Sequence, residues 1–215
     1  RTVEKARWLE NMGFSQIVLA RELTLSEIRE ICRSVTVPVE CFIHGALCVS
    51  YSGRCHASLS CGGRSANRGE CAQMCRLPYT LTDAGGRTIA RDKYLLSMHD
   101  LNASASLDDM IEAGVTSFKI EGRLKDPSYV KNVTAHYSRL LDDFIARHPG
   151  EYERASKGTS YPSFTPDVRK SFNRGFTDFC LTRRRNSDLV SMLTPKSQGE
   201  PVDDIAMLNN GDGIA

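Results

Sequence analysis

The chain has 215 residues, with 28 Lys+Arg against 26 Asp+Glu, 40% hydrophobic and 25% charged residues. That is the balance of a globular protein able to bury a core, and it excludes a disordered tail or a strongly basic or acidic binding segment. The aliphatic runs, such as Ile17 to Ala20, fall far short of the roughly 18 apolar residues a membrane-spanning helix needs, so no membrane partner is expected.

Arg1 enters at once into a helical pattern, with Val3, Ala6, Leu9 and Met12 at three-residue spacing and no secretory leader. The sequence therefore reads as an internal or C-terminal piece of a longer protein. The spacing predicts a helix over 2–12 stopped by Gly13, then a short apolar strand over 16–20 of the kind buried on both faces of a parallel sheet. Thr24 and Glu27 have capping-box spacing and open a helix through about Ser34. Past Pro38, Val39 to Ile43 form the next strand, ending at His44-Gly45.

Between Gly45 and Arg91 the period is lost to Gly, Ser, Arg and Cys, which predicts an insertion with its own organisation. Periodicity returns near Tyr94 to Met98, then as a helix around Leu107 to Ala113 and a strand over Ser117 to Ile120. Pro127 sits at a first helical position. It begins a long amphipathic helix with Tyr129, Val130, Val133, Tyr137, Leu140, Leu141, Phe144 and Ile145 on one face, ending near His148-Pro149-Gly150.

Strands alternating with helices imply parallel pairing with right-handed crossovers, in an open doubly wound sheet or a TIM barrel. A full barrel needs around 250 residues, so about half of one is expected over residues 1–150, with the Cys-rich insertion at 45–91. Residues 151–215, rich in Ser, Thr, Pro, Asn and Gly, read as a linker and an incomplete β-rich module.

Eight cysteines are present, and five lie in the insertion. Cys48-x6-Cys55-x15-Cys71-x3-Cys75 supplies four thiols separated by Gly53, Gly62, Gly63 and Gly69, the composition of a loop folded around a small object. Four thiolates suit tetrahedral zinc or an iron-sulfur cluster, and the spacing matches neither a zinc ribbon nor a ferredoxin run. Disulfides are the alternative, but a parallel-sheet chain is not the small stapled scaffold that oxidising compartments favour; a cytoplasmic setting is expected. Cys32, Cys41 and Cys180 read as inert core thiols, and Cys61 is an ambiguous fifth.

From His44 to Arg91 six arginines (Arg54, Arg64, Arg68, Arg76, Arg87, Arg91) face only Glu70 and Asp83, a local excess of four positive charges. Such forks hold phosphates or carboxylates, as in RNA or an organic acid, or else form a solvated face paired to acids elsewhere. Arg183-Arg184-Arg185 would extend a phosphate track or solubilise a turn. Past strand ends, where barrel enzymes carry their chemistry, stand Arg21-Glu22, His44, and Lys119, Glu121 and Arg123. Lys119 and Glu121 alternate with Phe118 and Ile120 and so would face a barrel interior, either for function or as a mutual salt bridge. His44 reads as a hydrogen-bonded structural histidine or as a group supporting the cysteine loop.

The stretch Glu40 to Cys55 (ECFIHGALCVSYSGRC), its continuation Gly63 to Arg76 (GRSANRGECAQMCR), Ser117 to Arg123 (SFKIEGR) and Ser171 to Thr177 (SFNRGFT) resemble the motifs of the U-32 collagenase-like peptidase family. Ser58 to Ser65 (SLSCGGRS) is most similar to its branch linked to 5-hydroxycytidine formation in large-subunit ribosomal RNA. The resemblance implies a TIM-like barrel followed by a β-rich region, a 4Fe-4S cluster on Cys48, Cys55, Cys71 and Cys75, and prephenate as source of the hydroxyl oxygen. His44, Lys119 and Glu121 would then assist proton transfer, and Arg54, Arg64, Arg68, Arg76 and Arg123 would bind prephenate or RNA phosphates. The family's N-terminal half-barrel has no counterpart in the sequence, and its C-terminal region looks shortened between Val202 and Asn209.

Two other functions stay in view. A peptidase would need a motif such as H-E-x-x-H, which is absent, or a nucleophile beside a base, for which only the His44–Cys48 neighbourhood offers material. An RNA-binding accessory with a structural metal would need no catalytic group.

Overall fold

The computed structural model describes residues 1–123, 125–158, 160–182 and 189–192. Arg183-Arg184-Arg185 and the segment from Val202 onward, including the expected shortening and the polar run 209–213, lie outside them. The Thr2 hydroxyl caps helix α1 (Val3–Asn11) by accepting the Lys5 N–H, and Gly13 turns the chain at φ +88° into strand β1 (Ile17–Val18). Helix α2 (Leu25–Ser34) opens on the complete capping box: Thr24 Oγ1 accepts the Glu27 N–H and the Glu27 carboxylate accepts the Thr24 N–H. Ile28 and Ile31 are its buried side chains.

Strand β2 (Val39–Ala46) is the hub of the main sheet. After it come helix α3 (Ala57–Gly62), the hairpin strands β3 (Tyr79–Thr82) and β4 (Thr88–Lys93), strand β5 (Asp100–Asn102), helix α4 (Leu107–Glu112) and strand β6 (Ser117–Ile120). Helix α5 (Pro127–Arg147) has Pro127 in its first turn, where no intrahelical N–H partner is lost, and Asp126 Oδ1 accepts the Tyr129 N–H. It buries Tyr129, Val133, Tyr137 and Phe144, while Val130, expected on the same face, is 43% exposed. Strand β7 (Phe176–Thr177) closes the order.

Strand β2 pairs parallel with β1 and β6 but antiparallel with β5, which pairs parallel with β7. The architecture is therefore mixed α/β. An all-parallel sheet, expected from the strand–helix alternation, is not what forms: the long insertion lets the chain return and enter β5 in the opposite direction, as a direct βαβ crossover does not. The segment beyond Gly150 does not stay apart, since β7 joins the main sheet and Val168 and Leu181 enter the core. The first strand is also more exposed than an apolar run suggests: Ile17 and Leu19 are buried, but Val18 is 48% exposed on the other face. Among the described residues no helix is long and apolar enough to cross a membrane.

Along β2, Val39, Cys41 and Ile43 point into the core and Glu40 and Phe42 are only partly covered. The register against β6 shifts between Phe42 and His44. Strict alternation would send His44 to the face of Phe42; the irregularity leaves it buried at 1% exposure, next to Tyr129, Tyr137 and Phe176.

Candidate functional site

The sheet ends hold the cysteine loop at three points. Past β1, Arg21 lies over the Phe42 ring at 4.5 Å and donates to the Ala46 carbonyl at 3.0 Å, while Glu22 accepts the Ser52 N–H and, at 3.0 Å, the Ser52 hydroxyl. Past β6, the Glu121 N–H donates to the His44 carbonyl at 2.8 Å, and Arg123 Nη1 donates to the Gly69 carbonyl at 3.0 Å. Arg76 makes the third tie. Its guanidinium donates to the Leu47 and Met98 carbonyls at 2.7 Å each and to Ser97 Oγ at 2.8 Å, bridging the loop to the end of β2 and the approach to β5.

Two glycines are required by these contacts. Gly45 has φ +110°, and a Cβ there would stand 2.5 Å from the Glu121 carbonyl oxygen. Gly69 has φ +88°, and a Cβ would meet Arg123 Nη1 at 2.6 Å.

Within the loop, buried Ser58 on α3 accepts the Ala72 N–H at 2.9 Å, tying the helix to the segment that carries Cys71. Cys71 Sγ accepts the Gln73 N–H at 3.3 Å, and Gln73 takes the left-handed conformation at φ +56°. Cys48, Cys55, Cys71 and Cys75 are free thiols lining one cavity of about 910 Å³. Burial raises the Cys75 pKa; Arg76 opposes this, and Cys48, Cys71 and Cys55 add to it through space. Cys61 is exposed and does not line the cavity. Among the described residues no group of three or more His, Cys, Asp or Glu is gathered closely enough to hold a single metal ion.

Of the other residues expected at the site, Glu121, Arg64, Arg76 and Arg123 line this cavity. Arg54 and Arg68 are exposed and do not. Lys119 is 47% exposed and pairs with Glu40 at 3.1 Å, so the mutual Lys119–Glu121 bridge does not form. His44 does not line the cavity either: its Nδ1 lies 3.2 Å from Tyr137 Oη, and burial, with help from His136 and Lys125, pushes its pKa down to about 4. Of the three expected core thiols, Cys41 is buried, with its pKa pushed up to about 12 chiefly by burial, whereas Cys32 and Cys180 are only partly covered.

Sequence reasoning missed Lys125, Asp100 and Arg174. Arg174 and Asp100 form a buried ion pair at 3.0 Å, with side chains 8% and 2% exposed. Lys125 Nζ sits 3.1 Å from the centre of the Phe172 ring, and the Arg174 guanidinium lies 4.7 Å from the same ring. Both cations line the cavity. The available signal was the stretch Ser171 to Thr177, quoted for its resemblance alone, which carries Phe172 and Arg174. Eight of the cavity's lining side chains are basic and two, Glu22 and Glu121, are acidic, which makes it an anion receptor in charge.

Across its whole length the chain is 49% identical to a 23S rRNA 5-hydroxycytidine synthase of Escherichia coli, of which it covers 34%. It is 40% identical over 65% of its length to tRNA hydroxylation protein P1 of Bacillus subtilis, covering 34% of that protein, and 36% identical over 75% of its length to a collagenase of Porphyromonas gingivalis, covering 41%. The chain thus spans between a third and a half of the length of these curated relatives. No solved structure gives a significant match. With residues 1–190 matching the family described as Peptidase family U32, the chain belongs to that family.

Proposed function

We propose that this chain is the cysteine-bearing part of an RNA-hydroxylating enzyme that converts a cytidine of large-subunit ribosomal RNA to 5-hydroxycytidine, with prephenate as oxygen source. The observation that carries the reading is the 49% identity, over the whole chain, to a 23S rRNA 5-hydroxycytidine synthase. In this reading the mixed sheet is half of a TIM-like barrel completed elsewhere in the full-length protein. The eight free thiols suit a reducing, cytoplasmic compartment.

Cys48, Cys55, Cys71 and Cys75 would hold a 4Fe-4S cluster. Four free thiols lining one cavity are the soft ligand set that such a cluster takes. Bound there, the cluster would supply redox and Lewis-acid chemistry; C–H to C–OH is a two-electron oxidation, so the two electrons would leave to an external electron acceptor, the redox partner of the reaction.

The remaining roles fall to the protein. Arg64 and Arg123 line the cavity and hold anionic groups; Arg76, with three donors spent on neutral acceptors, fixes the loop and leaves its charge to the cavity. Arg54 and Arg68, which are exposed, would contact RNA phosphates. The Glu121 carboxylate, at the cavity wall, is the proton acceptor; Lys119 orients Glu40, and neutral His44 orders the sheet beneath.

The collagenase relative keeps a peptidase reading in view, and it finds less support. His44 is bonded to Tyr137 and does not share the cavity with Cys48. Ser104 Oγ does lie 2.9 Å from His136 Nε2, but its hydroxyl donates to Asn102 Oδ1 at 2.6 Å, so the histidine is not placed to take that proton. The test is nucleoside mass analysis of ribosomal RNA treated with anaerobically purified full-length protein, prephenate and a chemical electron acceptor. A cytidine gaining one oxygen supports the proposal; RNA binding with unchanged nucleoside masses, or proteolysis that survives iron chelation, overturns it.

A further inference from the structure

The cavity that the four thiols line also carries a cation that pairs with no carboxylate among the described residues. Asp100 is committed to Arg174 in a pair that is almost wholly buried. Arg76 is held by two carbonyls and a hydroxyl, with no carboxylate among its partners in the described residues. Lys125 makes no ion pair among the described residues: its ammonium rests on the Phe172 ring at 3.1 Å, with Tyr129 at 5.4 Å. A half-buried ammonium against an aromatic face, flanked by two guanidiniums, keeps its charge only at a cost, and an incoming anion would remove that cost.

We infer that Lys125 is the ligand-binding residue of a small-anion subsite in this cavity, and that it binds a carboxylate of a small organic acid. This rests on the proposed function, in which such an acid is the oxygen donor, and adds the residue that selects it. Position favours a small molecule over RNA. The Arg174 and Asp100 side chains behind the subsite are 8% and 2% exposed, whereas Arg54 and Arg68, which suit a polymer backbone, are on the outside. A cavity of about 910 Å³ has room for a compact acid beside a cluster.

The charge state agrees with the geometry. Burial lowers the Lys125 pKa to about 8; Asp100 and Glu121 raise it, and Arg174 and Arg76 lower it further, with the Tyr129 hydroxyl and neutral His44 the other titratable groups nearby. The ammonium is present at neutral pH. Anion affinity therefore holds below pH 8 and falls as pH rises through it.

The experiment measures binding of prephenate, of inorganic phosphate and of a short ribosomal RNA hairpin to anaerobically purified full-length protein, by calorimetry, alongside iron and sulfide content. With Lys125→Gln, the prephenate Kd should rise about tenfold or more, with RNA affinity and iron content unchanged, and Lys125→Arg should restore most of it. Should Lys125→Gln not fold, the wild-type pH profile decides, with weakening through pH 8 expected and a flat profile to pH 9.5 refuting the subsite. Unchanged prephenate affinity, an equal loss for RNA, or phosphate binding as tightly as prephenate would each overturn the assignment. Binding through Lys125 without any cytidine hydroxylation would leave the subsite standing and remove the proposed reaction.

Discussion

His44 stands at the position where a barrel enzyme would carry a general base, yet the fold makes it a neutral structural group. Its pKa drops from 6.5 in the unfolded chain to about 4 in the fold, because burial penalises the imidazolium and His136 and Lys125 add to that penalty. Between these values the unfolded chain binds more protons, so the contribution of His44 to stability is complete above pH 6.5 and is lost as pH falls toward 4. At 1.36 kcal/mol per unit, the fold at pH 4.5 should be about 2.5 kcal/mol less stable than at pH 7 from this one group, a large share of the total stability of a domain. The assay is urea unfolding of the full-length protein followed by far-UV circular dichroism at pH 7, 6, 5 and 4.5, for wild type and for His44→Gln. The variant cannot titrate here and should lose about 2.5 kcal/mol less over that range. Equal pH slopes for the two proteins, or an imidazole titrating near 6.5 by NMR, would refute the reasoning and reopen a catalytic role.

Gly45→Ala should destabilise the fold by roughly 3 kcal/mol, since it combines a strained positive φ with a Cβ 2.5 Å from the Glu121 carbonyl; denaturant midpoints measure it. Asp100→Ala removes the buried carboxylate to which Arg174 donates and should cost about 3–5 kcal/mol, whereas Lys119→Met, at a partly exposed pair with Glu40, should cost under about 1 kcal/mol. Arg76→Gln removes the tie between the Cys75 segment and β2 and should lower the iron bound per chain, with the circular dichroism of the main sheet preserved.

What could be read from the sequence was whatever is encoded locally. Thr24 and Glu27 announce α2, and Asp126-Pro127 announces α5, because caps act within four residues. The four cysteines and their glycines were legible as a loop for the same reason. The antiparallel entry of β5, the irregularity that buries His44 and the six-residue α3, held by Ser58 to Ala72, depend on contacts between distant segments and leave no period to find. Lys119 and Glu40 are 79 positions apart, and Arg174 and Asp100 are 74 apart; only the sheet topology makes either pair. The alternation of Lys119 with Phe118 points to a barrel interior, whereas Lys119 is 47% exposed and its partner is Glu40 of β2 and not Glu121 of the same strand.

The account turns on what the four thiols hold, and the direct measurement is iron, acid-labile sulfide and zinc per chain in full-length protein purified without oxygen. The account predicts about four iron and four sulfide, negligible zinc, and loss of most of the iron in the Cys55→Ser, Cys71→Ser double variant along with RNA hydroxylation. One zinc without sulfide, or disulfides joining these cysteines in pairs, would contradict it, as would a double variant that still hydroxylates RNA.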